Sequence, residues 1–205
     1  MSGLGGDGET PPRLKVCEIE FAAIDFESAG TEPGRTDEPV QISIVLMKNG
    51  EVGTAFTSYL KPSRPVTWAA KAVHGISDEK LMDAPRLIDL WPDVKRMLEG
   101  RWVVAHGAAT EKRFLRVFPI HRFGPWVDTL TLTRSIFPSL ESFALADAIS
   151  ALGLVDCAEL KRPGFRWHDA LCDATASLVL LRHLIASAGL AEAPAEMINL
   201  PRASR

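Results

Sequence analysis

The sequence predicts an α/β protein built on a mixed five-stranded sheet with helices against its faces. Three observations carry that expectation. Strand-like segments come first and are joined by a tight-turn signal at Asn49–Gly50. Helical and strand-like segments then alternate to the end of the chain, the order expected of a layered sheet-and-helix domain. Finally, 205 residues with 46% apolar and 24% charged side chains suffice for one filled core, since a domain of this size buries roughly 70% of its unfolded surface.

Taken in order, "KVCEIEFAAIDFE" runs apolar with branched and aromatic residues and reads as a strand ending near Glu27. "SAGTEPGRTDEP" is a loop by its glycines, prolines and small polar groups. Val40–Met47 and Gly53–Leu60 are the next strands, paired through "KNGE" into a three-stranded antiparallel unit. Trp68–Val73 reads as a short helix ended by Gly75, and "SDEKLMDAP" as a helical turn or two capped by Ser77 or Asp78. Leu87, Leu90, Trp91, Val94, Met97 and Leu98 recur at helical spacing, with Pro92 marking either a kink or the true start. "GRWVVAHG" is a short buried strand ending near His106, followed by a helix that Glu111 opens and Pro119 stops. Trp126–Asp128 is the last strand and feeds a helix through Ile136. "SLESFALADAISALGL" reads as an amphipathic helix capped by Ser142 and stopped by Gly153. Ala170–Ala188 is the longest helix, with Ala174, Leu178, Leu181 and Ile185 on one face.

The expected division is a flexible tail over 1–14, one domain over 15–190 and a C-terminal extension over 191–205. The tail has neither the apolar core nor the cationic lead of a signal peptide, and no run of 18 apolar residues suggests a membrane helix. Cys17, Cys157 and Cys172 are odd in number and widely spaced, which fits neither a disulfide framework nor a zinc cluster. Reduced thiols and a cytoplasmic location follow as expectations. A net charge of −3 gives little unspecific attraction for phosphate, but a carboxylate cluster that repels phosphate when empty attracts it once filled with cations.

Acidic residues stand in three separate places. Asp25 and Glu27 lie two apart on a strand, so both leave the same face; in isolation the pair also suits a solvated strand end. Phe26 between them reads as core filling. Glu111 opens a helix after a buried strand, where it can lean over the strand ends or simply meet the helix dipole. His168 and Asp173 are five apart, about 140° on a regular helix, and reach one centre only if His168 precedes the helix and Asp169 caps it. Four carboxylates and an imidazole gathered on one site can hold two divalent cations and activate water against a phosphodiester.

"IDFESAG", "VVAHGAATEKRFL" and "HDALCDA" resemble, in order, the three motifs of the DEDD exonucleases, in the histidine-bearing branch that includes the proofreading subunit of bacterial replicative DNA polymerase. "PVQISIV", "YLKPSRPV", "AVHGIS", "VDTLTLTR" and "SFALADAISALGL" follow the same framework, so the likeness runs from Val16 to Ala188. It implies a ribonuclease-H-like sheet and a 3'-5' exonuclease that releases nucleoside 5'-monophosphates from single-stranded DNA or RNA. It implies two ions, Mg2+ or Mn2+, held by Asp25, Glu27, Glu111 and Asp173, with His168 as general base; imidazole suits that role because its ordinary pKa is about 6.5. Ser28, Ala29 and Gly30 fall where the family meets the terminal nucleotide, and His74, Gly75 and Ile76 fall near its base. His106 belongs to the framework.

Three positions depart from the family pattern: Glu111 replaces aspartate, Gly107 asparagine and Thr110 an aromatic residue. The alternative reading is therefore a nucleic-acid-binding or regulatory module that keeps the exonuclease fold with reduced turnover. Arg64, Lys71, Lys112, Arg113, Arg116, Arg162 and Arg166 either line an approach path or are solvated faces. The partner expected is a single-stranded 3' end rather than a membrane. A freestanding enzyme, able to pair as a homodimer, is preferred to a stable polymerase subunit.

Overall fold

A computed structural model describes residues 14–34 and 36–199; most of the expected tail and the last residues of the extension lie outside them. The strands are β1 (Phe21–Ser28), β2 (Pro39–Lys48), β3 (Glu51–Tyr59), β4 (Trp102–Ala105) and β5 (Trp126–Asp128). They form one sheet in the order β3-β2-β1-β4-β5. The β1–β2 and β2–β3 pairs are antiparallel, whereas β1–β4 and β4–β5 are parallel. The sheet is therefore mixed, five-stranded and flanked by helices, as the sequence predicts. Asn49 and Gly50, at φ 53° and 78°, turn the β2–β3 hairpin, the conformation that a two-residue hairpin of this hand demands.

The helices are α1 (Trp68–His74), α2 (Asp78–Leu81), α3 (Trp91–Leu98), α4 (Ala109–Leu115), α5 (Thr129–Ile136), α6 (Leu145–Ala151) and α7 (Ala170–Ser187). Side chains of β1 alternate between two cores. Ala22, Ile24 and Phe26 face α3 and α4 with Val94, Leu98 and Phe114. Phe21 and Ala23 face α7 with Leu178 and Leu181. By this alternation Asp25 and Glu27 leave β1 on the α7 side, at the strand's C-terminal end. Phe26, on the other side, packs edge-on against Phe114 with ring centroids 5.2 Å apart.

Several boundaries differ from the expectation. Val16–Glu18 is a 3-10 turn and not the start of β1; its Val16 and Cys17 amides donate to Ala193 and Ala191 carbonyls of the C-terminal segment. That segment includes another 3-10 turn, Ala195–Asn199, whose Ala195 and Ile198 are buried in the core. Pro92 sits in the first turn of α3 and starts it without kinking it. The helix expected from Ser142 begins at Leu145; the Ser142 hydroxyl instead accepts from the Ala144 amide and pairs with Asp147. α7 is buried nearly all round, including Cys172, Thr175, Ala176, Ser177 and Val179. Its 18 residues are long and apolar enough to cross a membrane, contrary to the sequence expectation, but it packs against β1, β2, α5 and α6 as a core helix does.

Candidate active site

The site lies at the C-terminal ends of β1 and β4, where ligands gather in sheets with parallel strands. Glu27, His168 and Asp173 each bring one ligand atom to within 4.8 Å of the others. Asp169 makes this possible. It caps α7, accepting from the Leu171 amide at 3.1 Å, so that His168 stands before the helix. His168 takes a left-handed φ of 59°, and its amide donates to Asp173 Oδ2 at 3.2 Å. The His168 and Asp173 side chains thereby escape the separation that a continuous helix would impose.

Asp25 lies at the centre of the charge. Burial, and then the fields of Asp173, Glu111, Glu27 and Asp169, push its carboxyl well above the usual range. Burial also raises Glu27 to about 7, with Asp173 and Asp169 adding to the effect and Arg166 opposing it. Asp173 is raised to about 7, again chiefly by burial, against the hydrogen bond from His168. Glu111, 6% exposed, is raised to about 7 by burial. One oxygen of each of two of these groups, Glu111 Oε2 and Asp173 Oδ1, is buried without a hydrogen-bond partner. A crowd of half-buried and buried carboxylates, two of them with an orphaned oxygen, is unfavourable by itself and suits hard cations that take oxygen ligands. The residues present thus fit a metal site.

Positioning residues surround this cluster. Gln41 stands opposite Glu27 in the β1–β2 pairing; it donates to Asp169 Oδ2 at 3.4 Å and accepts from the Ala170 amide at 3.3 Å. It therefore ties the start of α7 to the sheet. Asp128 at the end of β5 accepts from the amides of Gly107, Ala108, Leu130 and Thr131 at 3.0 to 3.3 Å. That one carboxylate caps α5 and fixes the β4–α4 turn that presents Glu111. His106 bridges Thr129 and the Phe143 carbonyl at 2.9 and 2.8 Å, and so serves the framework. Asp128, directly before α5, carries a local capping signal, but its hold on the β4–α4 turn and the role of Gln41 have none.

The loop after β1 is held from beneath. Arg64 is buried and hydrogen-bonds the Gly30 carbonyl, with Glu32 and Asp37 each 3.6 Å away. It is thus a loop anchor and does not line an approach path. His74 donates through Nε2 to the Ser28 carbonyl and accepts at Nδ1 from the Ile76 amide, both at 3.0 Å. This is a neutral imidazole, and burial lowers its pKa. Ala29 and Ile76 are fully enclosed in a small cluster with Val40, Val66 and Leu81, so their side chains face away from a ligand; the Ala29 amide and carbonyl are engaged by Glu38 and Thr67. Ser28 and Gly30 retain partial exposure and Gly75 is exposed.

Comparison with known proteins agrees with this geometry. DNA polymerase III PolC-type of Thermotoga maritima is 31% identical over 162 residues, which is 77% of this chain but 11% of that protein. The chain thus spans only a small part of that relative. Exodeoxyribonuclease 10 of Escherichia coli K12 is 28% identical over 182 residues, or 87% of this chain and 74% of that protein. The structure of Exonuclease X in complex with 5' overhanging duplex DNA superposes with a TM-score of 0.70 at 26% identity, covering 87% of this chain and 99% of that one. The RNase_T exonuclease family matches residues 22–181, a span running from β1 into α7 and including every acidic residue of the cluster. The chain belongs to the RNase_T exonuclease family.

Proposed function

We propose that this protein removes nucleotides one at a time from the 3' end of single-stranded DNA or RNA, releasing nucleoside 5'-monophosphates. The observation that carries this reading is the convergence of Glu27, His168 and Asp173 within 4.8 Å beside the half-buried Asp25 and the buried Glu111. Asp25, Glu27, Glu111 and Asp173 would hold two divalent ions, Mg2+ or Mn2+. Such ions supply a water activated at neutral pH and offset charge on the entering and leaving oxygens.

The chain's own residues do the rest. Asp25, on the central strand, ties the cluster to the sheet, and Asp173 is held by the His168 amide. His168, exposed at the mouth, takes the proton of the attacking water, and its left-handed backbone sets it just ahead of α7. The loop from Ser28 to Gly30 and the turn from His74 to Ile76 receive the terminal nucleotide. Glu111 keeps the charge of the family's aspartate with a longer reach, and its unpartnered Oε2 supports a direct role at an ion.

The test is hydrolysis of matched 3'-labelled and 5'-labelled single-stranded DNA and RNA in Mg2+ and in Mn2+, with Asp25→Ala as control. Stepwise shortening from the 3' end that disappears in Asp25→Ala is the expected result. A folded, cation-binding protein that cuts none of these substrates would return the chain to the binding-module reading.

A further inference from the structure

The outward face of α1 has features that the active site does not use. Trp68, its first residue, is 84% exposed, although an indole buried in a core removes about 150–250 Å² from water. Among the described residues, none covers it. Lys71, also exposed, follows one turn later on the same face. At the other end of the helix, the Arg166 guanidinium lies 3.5 Å from where a Cβ on Gly75 would stand, and it is half-exposed.

This helix is bound to the rim of the catalytic cleft. The Thr67 amide donates to the Ala29 carbonyl at 2.8 Å. A Cβ on Gly30 would come within 2.2 Å of Thr67 Oγ1 and 3.1 Å of the Ala70 Cβ, so loop and helix are in direct contact. His74 closes the other end onto Ser28. Trp68 is therefore beside the loop that receives the terminal nucleotide, outside the acidic cluster. Arg166 reaches the cluster as well, being 3.6 Å from Asp169 and acting on Glu27.

We propose that the outer face of α1 is a platform for the nucleic-acid strand, with Trp68 stacking on a base beyond the nucleotide being cut and Lys71 and Arg166 meeting phosphates. The inference rests on the nuclease reading. An exposed ring flanked by cations and continuous with the cleft suits a strand better than a protein partner. Base–aromatic stacking is tolerant of sequence, and neighbouring cations follow the backbone. Glu79, which shares the field of Lys71, is the acid that opposes this attraction.

The experiment measures binding of a fluorescent 12-nucleotide oligothymidylate in Ca2+, and hydrolysis of that oligonucleotide and of the p-nitrophenyl ester of thymidine 5'-monophosphate in Mn2+. The ester fills only the terminal site. Stacking of about 1–3 kcal/mol per base corresponds to roughly 5- to 150-fold in affinity. Trp68→Ala is expected to weaken oligonucleotide binding by that factor and to lower the oligonucleotide-to-ester ratio of kcat/KM in parallel, while Trp68→Phe restores most of both. Lys71→Ala should reduce the salt slope of binding by about 0.7. Oligonucleotide affinity unchanged in Trp68→Ala, or ester and oligonucleotide hydrolysis lost equally, overturns the platform while the nuclease reading stands. A wild-type protein that binds and cuts neither probe overturns both.

Discussion

Replacing Glu111 with glutamine should make the metal-free protein more stable at pH 8, an effect that vanishes at low pH. Glu111 is 6% exposed, and its carboxyl is raised from 4.5 to about 7, principally by burial. Below pH 4.5 the group is protonated in both folded and unfolded chains and carries no penalty. As the pH rises from 4.5 to 7, the unfolded chain ionises more readily, and stability falls until the folded carboxyl also titrates; above 7 the full penalty is present. At about 1.36 kcal/mol per pH unit, the interval amounts to ~3 kcal/mol. Urea unfolding of wild type and Glu111→Gln in EDTA, at pH 4.5 and pH 8, measures the change in their stability difference. The difference between the two pH values removes any contribution from the shape or polarity of the amide. Glutamine should gain ~3 kcal/mol on wild type between the two conditions, or about 6–12 °C in Tm for a chain of this size. A stability difference that is the same at both pH values would refute the claim that an ionised Glu111 is held at a cost.

Divalent cations should reverse that order at pH 8. At an ion concentration one hundred times Kd, stabilisation is about 2.7 kcal/mol per site, and a thermal shift in Mn2+ should be larger for wild type than for Glu111→Gln. Asp128→Ala should cost roughly 2–4 kcal/mol, because a helix cap and charge-assisted hydrogen bonds are lost together; chemical denaturation and a parallel fall in kcat through displacement of Glu111 check it. Gly30→Ala should cost about 1–3 kcal/mol, because Gly30 has φ 91° and no room beside Thr67. Its larger effect should be on KM, measured with an oligonucleotide, since the loop must move away from α1.

The elements with a local signal were legible in the sequence. The Asn49–Gly50 hairpin, the buried strand before His106 and the helix ended by Gly75 each depend on residues close together in the chain. Asp25, Glu27, Glu111, His168 and Asp173 stood out because carboxylates and an imidazole recur in an ordered set of motifs. What stayed hidden depends on distant partners. Val16 and Ile19 look like strand residues, but their segment is bent into a turn that pairs with Ala191 and Ala193. α7 looks amphipathic until the sheet, α5 and α6 surround it. Gln41 reads as one polar residue in a strand, and only the fold brings it to Asp169, 128 residues away. Arg64 could equally have faced solvent; its burial follows from the path of a loop that has no periodicity.

The bond between Gln41 and Asp169 also bears on how the molecule acquires its activity. β1, β2 and β3 are joined by short connections and pair antiparallel, so they can form from local contacts at small loop-closure cost. β4 and β5 require crossovers, and α7 must close a loop of more than a hundred residues before Asp169 reaches Gln41. Asp25 and Glu27 therefore belong to the part of the chain able to organise early, whereas His168 and Asp173 come into register only when α7 docks. A nascent or partly folded chain would carry half of the acidic cluster without its other half, so the proposed nuclease activity would require α7 to have docked.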